Sequence, residues 1–252
     1  MMLTVERQEL ILSMVKARKV VTIHELVEET GASESTIRRD LTELESANKL
    51  KRIHGGASAL QRRSEEPTVA EKTVKNNYEK QLIAKQAADI LEEGDCIFLD
   101  AGTTTFEMIP FLTNKKVVVV TNGLDSLSAL IEHDIETYVL GGAVKRGTRA
   151  FVGRHAVQML QTFRFDKAFI GTNGIGLEDG FTTPDPQEAF VKETAISLAR
   201  ESFVLADHTK FGETAFSHFA SLDKATIITS AETDQSHLEK YKQRTTVKVV
   251  TA

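Results

Sequence analysis

The chain has 252 residues, enough for two hydrophobic cores, and its 41% hydrophobic and 27% charged content is typical of a globular protein. No apolar run reaches the roughly 20 residues that a membrane-spanning helix needs, and the single cysteine excludes a disulfide framework. Residues 1–63 carry 11 Lys/Arg against 9 Asp/Glu, whereas residues 64–252 carry 20 against 27. This division predicts two domains with different partners. The lone cysteine and the absence of a long apolar run predict a cytoplasmic protein that has no membrane partner.

Three short helices are predicted at the N-terminus. Apolar residues at helical spacing predict the first over residues 5–18, and a short β-like link follows at Val20–Thr22. Thr22 and Glu25 have the spacing of a capping box, so a second helix is expected to begin there. A glycine turn then precedes Ser33, which is suited to cap a third helix. The exposed face of that third helix carries Ser35, Thr36, Arg38 and Arg39.

A basic segment, the wing at Lys49–Ala57, follows the third helix, and its Gly55-Gly56 pair permits the tight turn of a hairpin. Two helices joined by a turn and followed by a basic wing are typical of a protein that binds the DNA major groove. Arginine can bond both acceptors of guanine, and hydroxyls suit phosphates. The predicted DNA-binding residues are Ser33, Ser35, Thr36, Arg38, Arg39, Lys51, Arg52, His54 and Gly55. A solvated charged helix, or a winged helix that binds only protein, is the alternative.

The remainder of the chain predicts a second domain. Residues 61–80 are charged and weakly periodic, which favours a linker between a DNA-binding domain over residues 1–60 and an α/β domain over residues 81–252. Apolar runs of strand length are found at 96–99, 117–120, 138–140, 168–170, 203–205, 226–228 and 247–250. Helical segments are expected around 103–112, 124–132, 153–162, 187–200 and 234–242. Continuous apolar strands that alternate with helices predict a largely parallel sheet covered on both faces.

Polar turns follow several of the predicted strands. Asp100–Thr105 contains a glycine that permits a tight turn and three threonines that, with backbone N–H groups, could receive a phosphate. Further turns at 121–123, 140–142 and 171–174 would gather at the carboxyl ends of the strands, where ligands bind in such sheets. An ordinary threonine-capped turn is the alternative. The glycine order at 171–176 differs from that of a dinucleotide loop, so NAD is not expected and no cofactor is predicted.

Two later clusters add charge to these turns. Glu188 and Lys192 are four residues apart and share one helical face, for which a surface ion pair is the alternative interpretation. Asp207 and Lys210 follow a strand, where the carboxylate could hold sugar hydroxyls and the lysine a phosphate. His24 lies in a segment that lacks the second histidine of a zinc-binding helix, so no metal is expected.

The motifs at Ser33–Leu41 and Lys51–Ala57 resemble the winged helix-turn-helix of the DeoR family of bacterial transcriptional regulators. The family commonly ends this helix with glycine, where this chain has Asn48; asparagine also accepts the left-handed conformation. Residues from about 75 to 252 resemble the family's α/β sensor domain, which is related to sugar-phosphate isomerases. The resemblance implies an effector site formed by Asp100, Gly102, Thr103, Thr104, Thr105, Asn122, Gly141, Gly142, Asn173, Gly174, Glu188, Lys192, Asp207 and Lys210.

Three motifs, Phe98–Thr105, Gly180–Pro186 and Val247–Val250, are most similar to the fructose-operon branch of the family. This implies a homo-oligomeric repressor that binds operator DNA and is released by a phosphorylated sugar, with fructose 1-phosphate as the leading candidate. The alternative is an isomerase or deaminase with a DNA-binding appendage, for which Asp100, Glu188 and Asp207 could supply carboxylates. The sequence has no His-plus-carboxylate motif of the deaminase type, so we predict no catalytic residue.

Overall fold

The computed structural model describes residues 2–47, 49–53, 55–59 and 63–251. The chain divides into two compact units, Met1–Arg62 and Arg63–Ala252. One hydrophobic cluster lies in the first unit and two lie in the second. Within the described ranges, none of the helices has both the length and the apolar character needed to cross a membrane.

In the residues that the structure describes, the N-terminal unit has three helices and a three-stranded antiparallel sheet. Its elements are α1 (Thr4–Arg18), β1 (Val20–Thr22), α2 (Ile23–Thr30), α3 (Glu34–Ser46), β2 (Lys51–Ile53) and β3 (Gly56–Ser58), with strand order β1-β3-β2. Thr22 and Glu25 form the predicted capping box, and the Ser33 hydroxyl accepts the N–H of Thr36 at 3.3 Å. These caps fix where α2 and α3 begin. The predicted winged helix-turn-helix is therefore confirmed, while Asn48 and His54 lie outside the described residues.

The C-terminal unit is built on a seven-stranded sheet. Its strands are β4 (Cys96–Leu99), β5 (Val118–Thr121), β6 (Glu136–Val139), β9 (Phe165–Gly171), β12 (Ala199–Leu205), β14 (Thr226–Ser230) and β15 (Val247–Val250). They lie in the order β15-β14-β12-β9-β4-β5-β6, and every neighbouring pair is parallel. Because β4 and β9 are neighbours while the chain winds away on either side, this pair is the topological switch point of the sheet. The predicted parallel sheet is confirmed.

Helices and shorter strands surround this sheet. The helices are α4 (Val69–Val74), α5 (Asn77–Asp89), α6 (Thr103–Phe106), α7 (Leu124–Glu132), α8 (Arg154–Leu160), α9 (Pro186–Leu198) and α10 (Gln235–Lys242). The shorter strands are a hairpin of β7 (Ala143–Lys145) and β8 (Ala150–Val152), and a small sheet of β10 (Gly174–Gly176), β11 (Gly180–Thr183) and β13 (Ser217–Ala220). Alternate strand residues enter two cores: Phe98 and Ile170 belong to one, and Ile97 and Phe169 to the other. Burial of both faces explains the continuous apolar strands.

Two parts of the second unit differ from the predicted elements. The helix expected over 103–112 is the single turn α6 followed by a short 3₁₀ turn at Ile109–Phe111. Pro110 accounts for the break, since proline cannot occupy the interior of an α-helix. Residues 61–80 contain all of α4 and the beginning of α5. The domain boundaries at 60 and 80 stay a prediction.

Candidate functional site

The exposed start of α3 combines hydroxyls and two arginines. The Ser33 hydroxyl oxygen lies 3.0 Å from that of Ser35 and 2.8 Å from that of Thr36. The side chains of Arg38 and Arg39 are 52% and 68% exposed, and each pairs with a glutamate four residues away. Exposed pairs of this kind contribute little to stability, so both guanidinium groups can exchange their glutamates for a phosphate or a base edge.

Asp40 also lies in α3, but its role differs from that of the exposed arginines. Its fully buried carboxylate accepts two hydrogen bonds from the buried Arg7 of α1, from Nε at 2.5 Å and from Nη2 at 3.2 Å. The hydrogen bond to Asp40 raises the pKa of Arg7, although burial opposes this. The two-point contact fixes the orientation of α3 on α1. The sequence prediction missed this function, because nothing in the spacing of Arg7 and Asp40 indicates a contact.

The wing is attached to α3 by hydrogen bonds. The Arg52 backbone N–H donates to Glu45 Oε1 at 2.8 Å, and Arg52 Nη1 donates to Thr42 Oγ1 at 2.9 Å. Gly55 has φ +78°, which favours glycine, and a Cβ on Gly56 would lie 2.2 Å from the Val21 carbonyl oxygen. The two glycines therefore permit both the turn and its close approach to β1. Lys51 lies on the exposed strand β2.

A buried ion pair lies at the switch point of the large sheet. Lys192 Nζ, from α9, contacts Asp100 Oδ2 and also donates to the Gly171 carbonyl oxygen at 3.0 Å. The same Asp100 oxygen accepts the Gly171 N–H at 2.9 Å. Both charged side chains are almost fully buried. The structure therefore brings together three of the predicted motifs, those at Asp100, Gly171 and Lys192.

The turn after β4 is held by its neighbours. Asn122 Oδ1 accepts the Ala101 N–H at 2.9 Å, and the Thr105 hydroxyl donates to the Asp100 carbonyl oxygen at 2.7 Å. In contrast, the hydroxyls of Thr103 and Thr104 have no hydrogen-bond partner in the described part of the chain. Thr105 and Asn122 thus shape the turn, and Thr104 is buried, while the half-buried Thr103 remains available to a ligand.

A cavity of about 200 Å³ opens beside this turn. It lies between the turn, α4, the start of α7 and the tip of the β7–β8 hairpin. Its walls are formed by Val69, Thr73, Ala101, Gly102, Thr103, Phe106, Glu107, Gly123, Asp125, Ser126, Thr148 and Arg149. Of the predicted effector residues, Gly102 and Thr103 are in this wall. The contributions of α4 and the hairpin were not predicted, although the basic turn Lys145–Arg149 is a visible signal in the sequence.

Glu188 belongs to a network beside the cavity. Its carboxylate accepts the Thr148 hydroxyl and lies 3.2 Å from Lys145 Nζ. The same ammonium contacts Asp185 at 2.9 Å and also Glu66, which pairs with Lys72 of α4 at 3.0 Å. Burial opposes the charge of Lys145, but the bond to Glu66 and the proximity of Glu188 outweigh it and raise its pKa. Neither Glu188 nor Lys192 forms the surface pair considered from the sequence.

Asp207 lies at the carboxyl end of β12 in a second polar cluster. Its Oδ1 accepts hydrogen bonds from the Thr209 N–H at 2.9 Å and from Asn76 Nδ2 at 3.3 Å. Lys210 Nζ lies 3.5 Å from the other carboxylate oxygen, Oδ2. Burial alone would raise the pKa of Asp207, but Lys210 and the hydrogen bonds from Thr209 hold it below its ordinary value. Asp207 and Lys210 are therefore close, as predicted, but neither lines the cavity described above.

Glu79 and His208 lie beside Asp207, and ligand-type atoms of the three lie within 4.8 Å of one another. The Glu79 carboxylate accepts the Ser230 hydroxyl at 2.6 Å and faces His208 Nδ1 at 2.8 Å. The buried Lys80 has a pKa lowered by burial, and the charge of Asp207 partly offsets this. With Lys80 and Lys210 close to Asp207, the cluster is better suited to internal ion pairing than to a metal cation.

The other predicted glycine turns are closely packed. A Cβ on Gly142 would lie 2.7 Å from the Val152 carbonyl oxygen, and one on Gly174 would lie 2.4 Å from that of Glu213. Asn173 Oδ1 accepts the Thr183 hydroxyl at 3.1 Å. These contacts give Gly142, Asn173 and Gly174 a structural role, whereas Gly141 is exposed with open space around it. Their contact with a ligand stays a prediction.

Comparison with known proteins identifies the family. Residues 7–63 match the DeoR-like helix-turn-helix domain and residues 75–231 match the DeoR C terminal sensor domain. The chain is 51% identical over 250 residues to a protein of Bacillus subtilis described as an uncharacterized HTH-type transcriptional regulator, FruR, with 99% of each chain covered. It is 36% identical to the HTH-type transcriptional regulator GlpR of Haloferax volcanii, with 95% of this chain and 94% of the relative covered. The chain belongs to the DeoR family.

Two further similarities are with another repressor and with a solved structure. A lactose phosphotransferase system repressor of Staphylococcus epidermidis is 36% identical, with 93% of this chain and 94% of the relative covered. Among solved structures, ribose 5-phosphate isomerase A of Methanocaldococcus jannaschii has a TM-score of 0.42 at 18% identity, covering 54% of this chain and 55% of that one. The second likeness concerns about half of each chain, and no activity follows from it.

Proposed function

We propose that this protein represses a sugar-utilisation operon, with fructose as the leading sugar, and that a phosphorylated sugar releases it from operator DNA. One observation carries the proposal: the chain that bears a winged helix-turn-helix also has a cavity at the carboxyl ends of a parallel sheet, with an available threonine hydroxyl in its wall. The relatives named FruR and lactose phosphotransferase system repressor support a sugar as the signal.

The N-terminal unit supplies the DNA contacts in this proposal. The hydroxyls at the start of α3 and the wing bind phosphates, and Arg38 and Arg39 bind base edges in the major groove. The active species is a homo-oligomer, because two copies of such a unit match the two halves of a palindromic operator. Arg38 and Arg39 are solvent-exposed, which supports this assignment.

The C-terminal unit binds the effector in this proposal. Fructose 1-phosphate occupies the cavity, and its phosphate meets the Thr103 hydroxyl and the turn that begins at Gly102. For the effector to weaken operator binding, it must bind the low-affinity state of the protein more tightly than the high-affinity state. The network of Glu66, Lys72 and Lys145 joins α4 to the hairpin, and both elements contribute to the cavity wall, so the network is placed to respond to occupancy.

The contacts of the three candidate carboxylates favour a regulator over an enzyme. Asp100 is paired with Lys192, Glu188 with Lys145, and Asp207 accepts hydrogen bonds from Thr209 and Asn76. A general base needs an accessible lone pair aimed at the proton that it removes from a substrate carbon. The full-length relatives reported above also carry regulator names.

The test is a titration of a preformed complex between the full-length protein and operator DNA. Fructose 1-phosphate, fructose 6-phosphate and unphosphorylated fructose are added separately, and bound DNA is followed by fluorescence anisotropy. We expect fructose 1-phosphate to release the DNA at the lowest concentration and fructose to have no effect. Equal behaviour of all three sugars would contradict phosphate sensing, and any consumption of the sugar phosphates would support the enzyme instead.

A further inference from the structure

Arg149 is the one cation in the wall of the cavity, as far as the described lining residues go. Two lining residues are acidic, Glu107 and Asp125, and each has a nearby cation. Asp125 Oδ1 lies 2.9 Å from Arg149 Nε, and Glu107 is close enough to the buried Lys80 to favour the charged form of that lysine. An anionic ligand in this cavity would therefore have Arg149 as its cationic partner.

The backbone of Arg149 is held firmly in an uncommon conformation. Its φ is +54°, a left-handed value that residues other than glycine and asparagine rarely adopt. The Arg149 N–H donates to the Lys145 carbonyl oxygen at 2.8 Å, and the Arg149 carbonyl oxygen accepts the Leu124 N–H at 2.9 Å. The hairpin tip is thus attached to the start of α7, and this attachment places the Arg149 side chain at the cavity rim.

The side-chain contact of Arg149 leaves part of the guanidinium available. Its Nε is directed to Asp125, and the side chain as a whole is 52% exposed. A guanidinium group can bind two phosphate oxygens at once through two of its N–H groups. The ammonium of lysine acts as a point charge and cannot reproduce this two-point contact. The Thr103 hydroxyl, also in the cavity wall, is a second donor for the same anion.

We infer that Arg149 is the residue that selects a phosphorylated over an unphosphorylated sugar, with Asp125 orienting its guanidinium. This inference rests on the proposed function, because it assigns specificity to the effector cavity. In this inference Thr103 and Gly102 supply polar groups to the cavity, and Arg149 supplies the charge.

The test compares Arg149→Gly with Arg146→Gly in the full-length protein. Arg146 is an exposed arginine in the same hairpin that does not line the cavity, so it is a matched control. Glycine adopts a positive φ without strain, so Arg149→Gly keeps or raises the thermal midpoint. We expect it to weaken fructose 1-phosphate binding, measured by isothermal titration calorimetry, by about tenfold or more, since a hydrogen bond to a charged group is lost. Arg149→Lys should restore only part of the affinity.

Two outcomes would overturn the inference, and they are distinguishable. If the wild-type protein binds fructose 1-phosphate and Arg149→Gly binds it equally well, the phosphate partner lies elsewhere and the proposed function stands. If the wild-type protein binds neither fructose 1-phosphate nor fructose 6-phosphate, the proposed effector fails and this inference fails with it. A lowered thermal midpoint together with unchanged affinity would give Arg149 a purely structural role.

Discussion

Asp100 and Lys192 form a buried ion pair, 92 positions apart in the sequence, where strands β4 and β9 meet. Lys192 also donates to the Gly171 carbonyl oxygen, and Asp100 accepts the Gly171 N–H. Two strand ends and helix α9 are thus joined around a single pair of charges. The position of the cavity-forming turn at Gly102 depends on this arrangement.

Lys192→Met should destabilise the C-terminal unit. Removing one partner leaves the Asp100 carboxylate buried without a countercharge, which costs about 3–5 kcal/mol. Urea denaturation followed by circular dichroism measures the loss. The control is Lys224→Met, which removes an exposed pair with Asp223 and should have little effect. Equal losses in the two variants would contradict the structural role of the buried pair.

Arg39→Ala and Arg38→Ala should abolish the preference for operator over random DNA, while fructose 1-phosphate binding stays unchanged. A bidentate arginine–guanine contact contributes about 1–3 kcal/mol of discrimination. Binding to both DNA sequences at matched salt measures the preference. Arg18→Ala, in the last turn of α1, is the control for loss of one exposed positive charge. Joint loss of operator and effector binding would mean that the two functions are wrongly assigned.

Gly56→Ala should damage the wing, whereas Gly55→Asn should be tolerated. The added Cβ at residue 56 would lie 2.2 Å from the Val21 carbonyl oxygen, so β3 must move away from β1. Residue 55 has only open space around it and a left-handed φ that asparagine accepts. We expect a lower thermal midpoint for Gly56→Ala and an unchanged one for Gly55→Asn. Similar behaviour of both variants would argue against the close approach.

The success of the sequence prediction varied with the range of the interactions. Local signals identified the capped helices and the apolar strands, because caps and hydrophobic periodicity depend on residues a few positions apart. The contacts of Asp40 with Arg7 and of Asp100 with Lys192 depend on the folded chain, so no spacing predicts them. The β7–β8 hairpin was missed because strands of three residues give too short a pattern. As a result, Arg149 was absent from the predicted site.

Asp207 should contribute to the acid sensitivity of folding. Its pKa is lowered in the folded protein, so its stabilising effect is complete above its ordinary pKa of about 4 and is lost as pH falls through the lower folded value. The stability difference between wild type and Asp207→Asn should therefore shrink as pH is reduced from about 5 towards 2. Urea midpoints across this range test it, with the exposed Asp223→Asn as control. A difference that grows on acidification would contradict the sign of the shift.

Glu66→Gln should uncouple effector binding from DNA release. The carboxylate contacts Lys72 of α4 and Lys145 of the hairpin, on two walls of the cavity, and it lies four residues after the end of the N-terminal unit. We expect near-normal affinity for each ligand alone but a smaller decrease of operator affinity on adding fructose 1-phosphate. Anisotropy titrations with and without the sugar measure this coupling. Glu193→Gln, at an exposed glutamate of α9, is the control, and an equal decrease of coupling there would point to net charge alone.

The contact between Arg7 and Asp40 has a consequence for how regulation can work. Any tilt of α3 on α1 would leave a buried carboxylate without its partner, so the internal geometry of the N-terminal unit resists change. In the homo-oligomeric repressor proposed above, the effector would then act on avidity, that is, on how many units of one oligomer are bound to the same operator at once.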